Sequence, residues 1–168
     1  GGLALRWFKD NICKKAEDGS YYQVLEKDAR KVPAGSNGVL FLPYLTGGYG
    51  DFANASGAFL NMTMDTNQEV LWRAVLEAIG YDYISVTDVY RAGGVSLDKI
   101  TVTEGGSRSD LWNQIKADML NSTVTTLKKA GGAVMTNVVV AAYAVGDIDN
   151  LKDYFIRKYR VISFFVIL

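Results

Sequence analysis

Histidine is absent from the 168 residues, and cysteine occurs once, at Cys13. A Ser-His-Asp triad and a His-ligated metal are therefore beyond what this chain can build alone. A hard cation held by oxygens is still open to it. An intrachain disulfide is excluded, which fits a reducing, cytoplasmic setting. Cys13 sits in a helix-like apolar pattern and reads as a small core residue. Charge of one sign is lacking too. Eighteen Lys+Arg balance eighteen Asp+Glu, for a formal net charge of zero. No nucleic-acid or membrane partner is expected from that balance. The longest terminal apolar run, residues 161–168, is too short to cross a bilayer. Gly1 to Trp7 has no signal-peptide layout and no initiator Met, so the chain reads as beginning mid-protein. Three Asn-x-Ser/Thr triplets, starting at Asn54, Asn61 and Asn121, read as chance in the absence of such a signal.

What is present is a globular composition, 49% hydrophobic and 21% charged, long enough for one domain with a core. Residues 2–16 follow a helical pattern, with Leu3, Leu5, Trp7, Phe8 and Ile12 apolar. A second short helix is expected over 21–31, stopping before Val32-Pro33 because a pre-proline residue avoids the α region. Val39 to Leu42 reads as a buried strand bounded by turn residues. Residues 45–57 read as loop, with four glycines in quick succession.

The longest helix is predicted over about 66–90. Val70, Leu71, Ala74, Val75, Ala78 and Ile79 form its core stripe, and Gly93-Gly94 its stop. Glu77 beside that stripe reads as a helix-edge charge or a polar tie to a neighbouring loop rather than a catalytic carboxylate. A strand over 99–103, a helix over about 107–121 and a strand over 123–127 follow. In that helix Leu111, Trp112, Ile115, Met119 and Leu120 share one side, and Ser107 or Ser109 supplies the cap. Gly131-Gly132 opens a last helix with Val134, Val138, Ala141, Ala142 and Val145 inward. The alternation of strands and helices defines an α/β class.

The junction Val102-Thr103-Glu104-Gly105-Gly106-Ser107-Arg108-Ser109-Asp110 draws attention. A β-branched strand ends in two glycines, and a capped helix follows at once. Glycine lets the backbone approach a ligand closely, and a helix start offers unpaired N–H donors to an anion. Without further context, the same pair of glycines is simply a tight strand-to-helix turn.

Four blocks together supply that context. They are Gly1-Gly2-Leu3-Ala4-Leu5-Arg6-Trp7-Phe8, Pro33 to Leu45, Arg73 to Ile79, and Gly105 to Asp118. In order and spacing over roughly residues 1–150 they resemble the carboxyl-terminal part of the FGGY carbohydrate kinases, most closely the xylulokinases. The resemblance implies the carboxyl-terminal half of an actin-like ATPase (ribonuclease H-like) fold, here incomplete. It also implies ATP held mainly by this domain, Mg²⁺ bridging the phosphates, and a sugar bound mainly by an amino-terminal domain that is missing here. Phosphoryl transfer relies on positioning and charge neutralisation, so both halves of the cleft are needed.

Carried over residue by residue, the resemblance gives Gly2 and Arg6 as nucleotide contacts at the start of the first helix. Gly105 and Gly106 match glycines that admit the adenosine and α-phosphate. Ser109, or Asp110 if the alignment slips by one, matches a polar neighbour of the adenine. No catalytic or metal-ligating residue is assigned, and neither Asp51 nor Asp65 lies in a matching motif. The loop after Gly47 is shorter than the family pattern, Ser56 stands where an Arg is usual, and Glu104 stands where a third glycine is frequent. Lys128-Lys129-Ala130-Gly131-Gly132 lacks an acidic residue usually found there.

The expected layout is a nucleotide-binding domain over 1–155, truncated at its amino-terminal side, and an unmatched apolar tail over 156–168. That tail is either a buried strand or, if unpaired, an aggregation hazard. The expected function is the ATP-binding part of a kinase that phosphorylates a ketopentose such as xylulose, inactive alone. The alternatives are a non-catalytic nucleotide- or partner-binding half of a split or degenerate sugar kinase, and a decayed gene product. A cut domain exposes apolar surface, so homo-oligomerisation is expected.

Overall fold

Helix α3 (Gln68–Ala92) is the axis of the first of two units into which the chain divides, Gly1–Gly94 and Val95–Leu168. The computed structural model describes residues 1–48, 50–127, 132–158 and 161–167. Asn67 caps α3, its Oδ1 accepting from the Val70 N–H at 3.1 Å. From Val70 to Gly80 the helix is buried almost all round, with Trp72 and Leu76 joining the expected stripe and Leu71 only half-buried. Beyond Gly80 it turns outward, and Tyr81, Val86, Val89 and Tyr90 are exposed.

Helix α1 (Gly2–Trp7) runs on as a π-helical turn over Phe8–Ile12, shorter than the expected 2–16. Cys13, just past the turn, is half-buried, and burial raises its thiol pKa. Helix α2 (Tyr21–Ala29) stops before Pro33, as the pre-proline bias requires. Strand β1 (Leu40–Leu42) pairs antiparallel with β2 (Ala58–Leu60), with Phe41 opposite Phe59. β1 is only partly buried, since Leu40 is exposed. No strand is expected at β2 from its sequence.

An aromatic cluster closes this unit. Phe8, fully buried, meets Phe59 edge-on at 6.3 Å and lies 5.4 Å from Trp72. The Phe41 and Phe59 rings are 4.6 Å apart, and Trp7 stacks over Phe41 at 6.0 Å.

The second unit is a three-stranded sheet in the order β3-β4-β5. Strand β3 (Lys99–Val102) pairs parallel with β4 (Thr123–Leu127) through the crossover helix α4 (Asp110–Leu120). Strand β5 (Val161–Phe165) lies antiparallel on the other edge of β4, with an irregularity between Thr126 and Leu127. The apolar carboxyl-terminal segment thus forms a paired strand. Val124 and Thr125 are fully buried, and the Thr101 and Thr125 hydroxyls bond across the parallel pair at 3.0 Å. Helix α4 ends on Asn121 in the left-handed region, a position that asparagine tolerates.

Helix α5 (Gly132–Ala144) departs from expectation in its facing. Val138 and Val145 are exposed and Ala141 is exposed as well, whereas Val139 is buried. Its sequence is apolar on every side, so no periodic stripe distinguishes the inner face. The Val134 side chain and the Lys128–Gly131 segment lie outside the described residues, as does Tyr49 of the glycine-rich loop. Helix α6 (Leu151–Lys158) leads to β5. No helix among the described residues is long and apolar enough to cross a membrane.

Candidate nucleotide site

The strand-to-helix junction folds as a 3₁₀ turn over Gly105–Arg108 between β3 and α4. Its first hydrogen bond runs from the Ser107 N–H to the Glu104 carbonyl at 3.1 Å, and the Ser107 hydroxyl donates to the same oxygen at 2.7 Å. The amides of Gly105 and Gly106 therefore precede the first bond of the turn, as helix-start donors do. A Cβ at Gly105 meets nothing within 4 Å, so the space beside it is open.

Gly106 differs. A Cβ there lies 2.6 Å from the Trp112 Cζ3, so the indole accounts for this glycine without a ligand. Ser109, not Ser107, caps α4. Its Oγ accepts from the Trp112 N–H at 3.1 Å. Asp110 is exposed in the first turn of that helix, where an acid suits the macrodipole.

Glu104 is the strained member. Its backbone, φ 65° and ψ −162°, lies in a region that essentially only glycine occupies. The side chain itself is exposed.

Sequence reasoning missed two side chains beneath the turn. Asn113 and Lys116, both on α4, are buried. Asn113 Nδ2 donates to the Ser107 carbonyl at 2.8 Å. Lys116 Nζ donates to Asn113 Oδ1 at 3.1 Å and reaches the Gly106 carbonyl at 3.5 Å. The ammonium also sits 3.9 Å from the centre of the Trp112 ring, a cation–π contact. Burial pushes its pKa down to about 8. The spacing of Asn113 and Lys116 from Ser109 was the available signal, because four and seven residues return to the capped face.

Gly2 and Arg6 stand together on α1, in the first unit. The Ala4 N–H bonds the Gly1 carbonyl at 3.1 Å, so the Gly2 and Leu3 amides precede the first helical bond. A Cβ at Gly2 meets nothing within 4 Å. Arg6 is exposed and makes no ion pair among the described residues. Gly105, Gly106, Ser109 and Asp110 are brought together in the second unit. The helix-start amides and open space at Gly105 suit an anionic phosphate or a nucleotide edge. Among the described residues no three acidic or cysteine side chains converge to hold a metal ion.

Glu77 is excluded as a reacting group by its partners. Its carboxylate accepts from the Gly35 N–H at 3.1 Å, the Ser36 hydroxyl at 2.7 Å and Arg73 Nε at 2.8 Å. It is the polar tie to a neighbouring loop that its sequence position suggests.

A strand, an open glycine turn and a capped helix on a parallel pair define an α/β unit of the kind that presents backbone amides to an anion. Comparison with known proteins makes the class specific. The chain belongs to the FGGY family of carbohydrate kinases, whose C-terminal domain model matches residues 1–145. It is 30% identical over 162 residues to the xylulose kinase of Bacillus subtilis (strain 168), covering 94% of this chain and 32% of that protein. It is 32% identical over 162 residues to the gluconokinase of Bacillus licheniformis, covering 89% and 31%. The solved xylulose kinase from Rhodospirillum rubrum superposes with a TM-score of 0.82 at 29% identity, covering 99% of this chain and 33% of that one. The fold is thus the carboxyl-terminal part of an actin-like ATPase sugar kinase. The chain spans about a third of the length of the curated relatives it matches.

Proposed function

We propose that this chain is the ATP-binding part of a sugar kinase whose complete form transfers the γ-phosphoryl group of ATP to a ketopentose such as xylulose. The observation that carries the reading is the open Gly105 turn, lying in a segment matched to the FGGY carboxyl-terminal domain. In this reading the Gly105 and Gly106 amides receive the adenosine and α-phosphate side of the nucleotide. Ser109, or Asp110, borders the adenine. The family resemblance separately offers Gly2 and Arg6 of α1 as nucleotide contacts. The chain's own work is binding and orientation. Phosphoryl transfer depends on such positioning and on neutralising the phosphate charge, to which a divalent metal ion would contribute. The ketopentose is favoured by the xylulose kinases among the relatives, while gluconate is the rival sugar acid because a gluconokinase is equally similar.

Calorimetric titration of the chain with ATP tests the reading. Saturable binding at one site, weakened by Gly105→Val, is the expected result, and no binding by the wild type overturns it. The chain alone is expected to phosphorylate neither xylulose nor gluconate.

A second reading is a nucleotide binder that has lost catalysis. It is favoured by the strained Glu104 and by Ser56 in the loop over 45–57. Mixing the chain with a separately expressed amino-terminal sugar-kinase domain separates the two. Recovered xylulose phosphorylation supports the kinase, and binding without turnover supports the degenerate form.

A further inference from the structure

We propose that Lys116 and Asn113 are positioning residues, forming a two-step relay that holds the Gly105–Arg108 turn in its nucleotide-receiving form. This rests on the nucleotide reading above. The relay starts from a lysine that is 4% exposed yet has no ion pair among the described residues. A buried ammonium without a counter-charge is costly, so as a purely structural choice it is a poor one. What it does is geometric. An ammonium only donates, so its 3.1 Å bond requires the oxygen of the Asn113 amide to face it. The other end of that amide, Nδ2, must then face the turn, where it donates to the Ser107 carbonyl at 2.8 Å.

The two side chains therefore engage consecutive turn carbonyls. Asn113 holds Ser107 closely, and Lys116 holds Gly106 through the longer 3.5 Å contact. With those carbonyls drawn down toward α4, the peptide units of the turn keep a fixed orientation. The Trp112 ring, in contact with both the Lys116 ammonium and the Gly106 position, completes the support. The anchors also oppose relaxation at Glu104, whose glycine-only backbone would otherwise pull the turn toward an ordinary conformation. Preorganisation of this kind strengthens binding by removing the cost of ordering the receiving backbone.

Asn113→Asp is the sharpest test. The new carboxylate keeps the size of the side chain and gains an ion pair with Lys116, but it has no N–H to offer Ser107. Lys116→Met is the second variant. It removes the donor, and it removes the desolvation cost of a buried charge. Lys116→Gln is the third, returning a neutral donor at that position. Thermal melting, amide hydrogen exchange over residues 105–109 and ATP titration are measured on all three and on the wild type.

The expected result is that the Asn113→Asp and Lys116→Met variants melt no lower than the wild type. Their turn amides nevertheless exchange about tenfold faster and ATP affinity falls about tenfold, roughly the worth of one hydrogen bond. The Lys116→Gln variant keeps most of that affinity. Unchanged exchange and unchanged ATP affinity in both of the first two variants overturn the relay. A fall in melting temperature that accounts for the lost affinity, with no rescue by Lys116→Gln, overturns it as well, because the role is then only structural. Absence of ATP binding by the wild type is a separate failure, that of the nucleotide reading, and the nucleotide role of the relay falls with it.

Discussion

Two turns in this chain are each held by a buried charged side chain reaching up from a helix, and they are held in opposite ways. In the first unit, residues 35–38 all have positive φ, and Glu77 of α3 ties them down. Glu77 is fully answered by a guanidinium, a hydroxyl and a backbone amide. In the second unit, the 105–108 turn rests on Lys116, which is answered by two neutral oxygens and an aromatic face. The first arrangement is a closed clamp that holds its loop in place. The second leaves a buried charge without a counter-charge among the described residues, beside an open turn.

The largest expected effect breaks the first clamp. Glu77→Ala strands Arg73 and frees Gly35 and Ser36. Removing one partner of a buried pair costs about 3–5 kcal/mol, so denaturant unfolding should show a loss of that order. A loss under about 1 kcal/mol would mean that the two clamps do not differ in kind.

Next comes the pH dependence of Lys116. Its pKa is about 8 in the native state against an ordinary 10.5. Between those values the unfolded chain holds more protons than the native one, so the stability of the wild type rises with pH there. Below pH 8 the penalty for the buried charge is fully present. Relative to Lys116→Met, the wild type should gain on the order of 3 kcal/mol between pH 8 and 10.5. Parallel stability profiles for the two proteins would place the ammonium in water instead.

The smallest effects sharpen the turn itself. Gly106→Ala meets the Trp112 ring and should cost about 1–3 kcal/mol. Glu104→Gly should stabilise by about 1–3 kcal/mol by removing a strained backbone conformation. Gly105→Ala, with open space and no positive φ, should stay within about 0.5 kcal/mol in thermal unfolding.

The β3-α4-β4 unit was legible because β-branched strands and a capped amphipathic helix carry distinct periods. The Glu77 tie was legible from its place beside the α3 stripe. Strand β2 was not, because Ala58-Phe59-Leu60 is a strand only through its pairing with β1. The inner face of α5 was hidden by uniform apolarity. Asn113 and Lys116 were overlooked for the reverse reason. Polar side chains read as solvated, and only the folded turn shows the carbonyls that draw them inward. The candidate site was therefore legible as backbone, through its glycines and cap, and not as the side chains beneath it.

The position of β5 has a consequence in time. Strand β4 ends at Leu127, and the residues that cover its free edge arrive about forty positions later, up to Phe165. A ribosome adding about 5–20 residues each second leaves that edge bare for roughly 2–8 s. During that interval a β-branched strand can recruit a stranger's strand as readily as its own. Slower synthesis across residues 128–165 would lengthen that exposure.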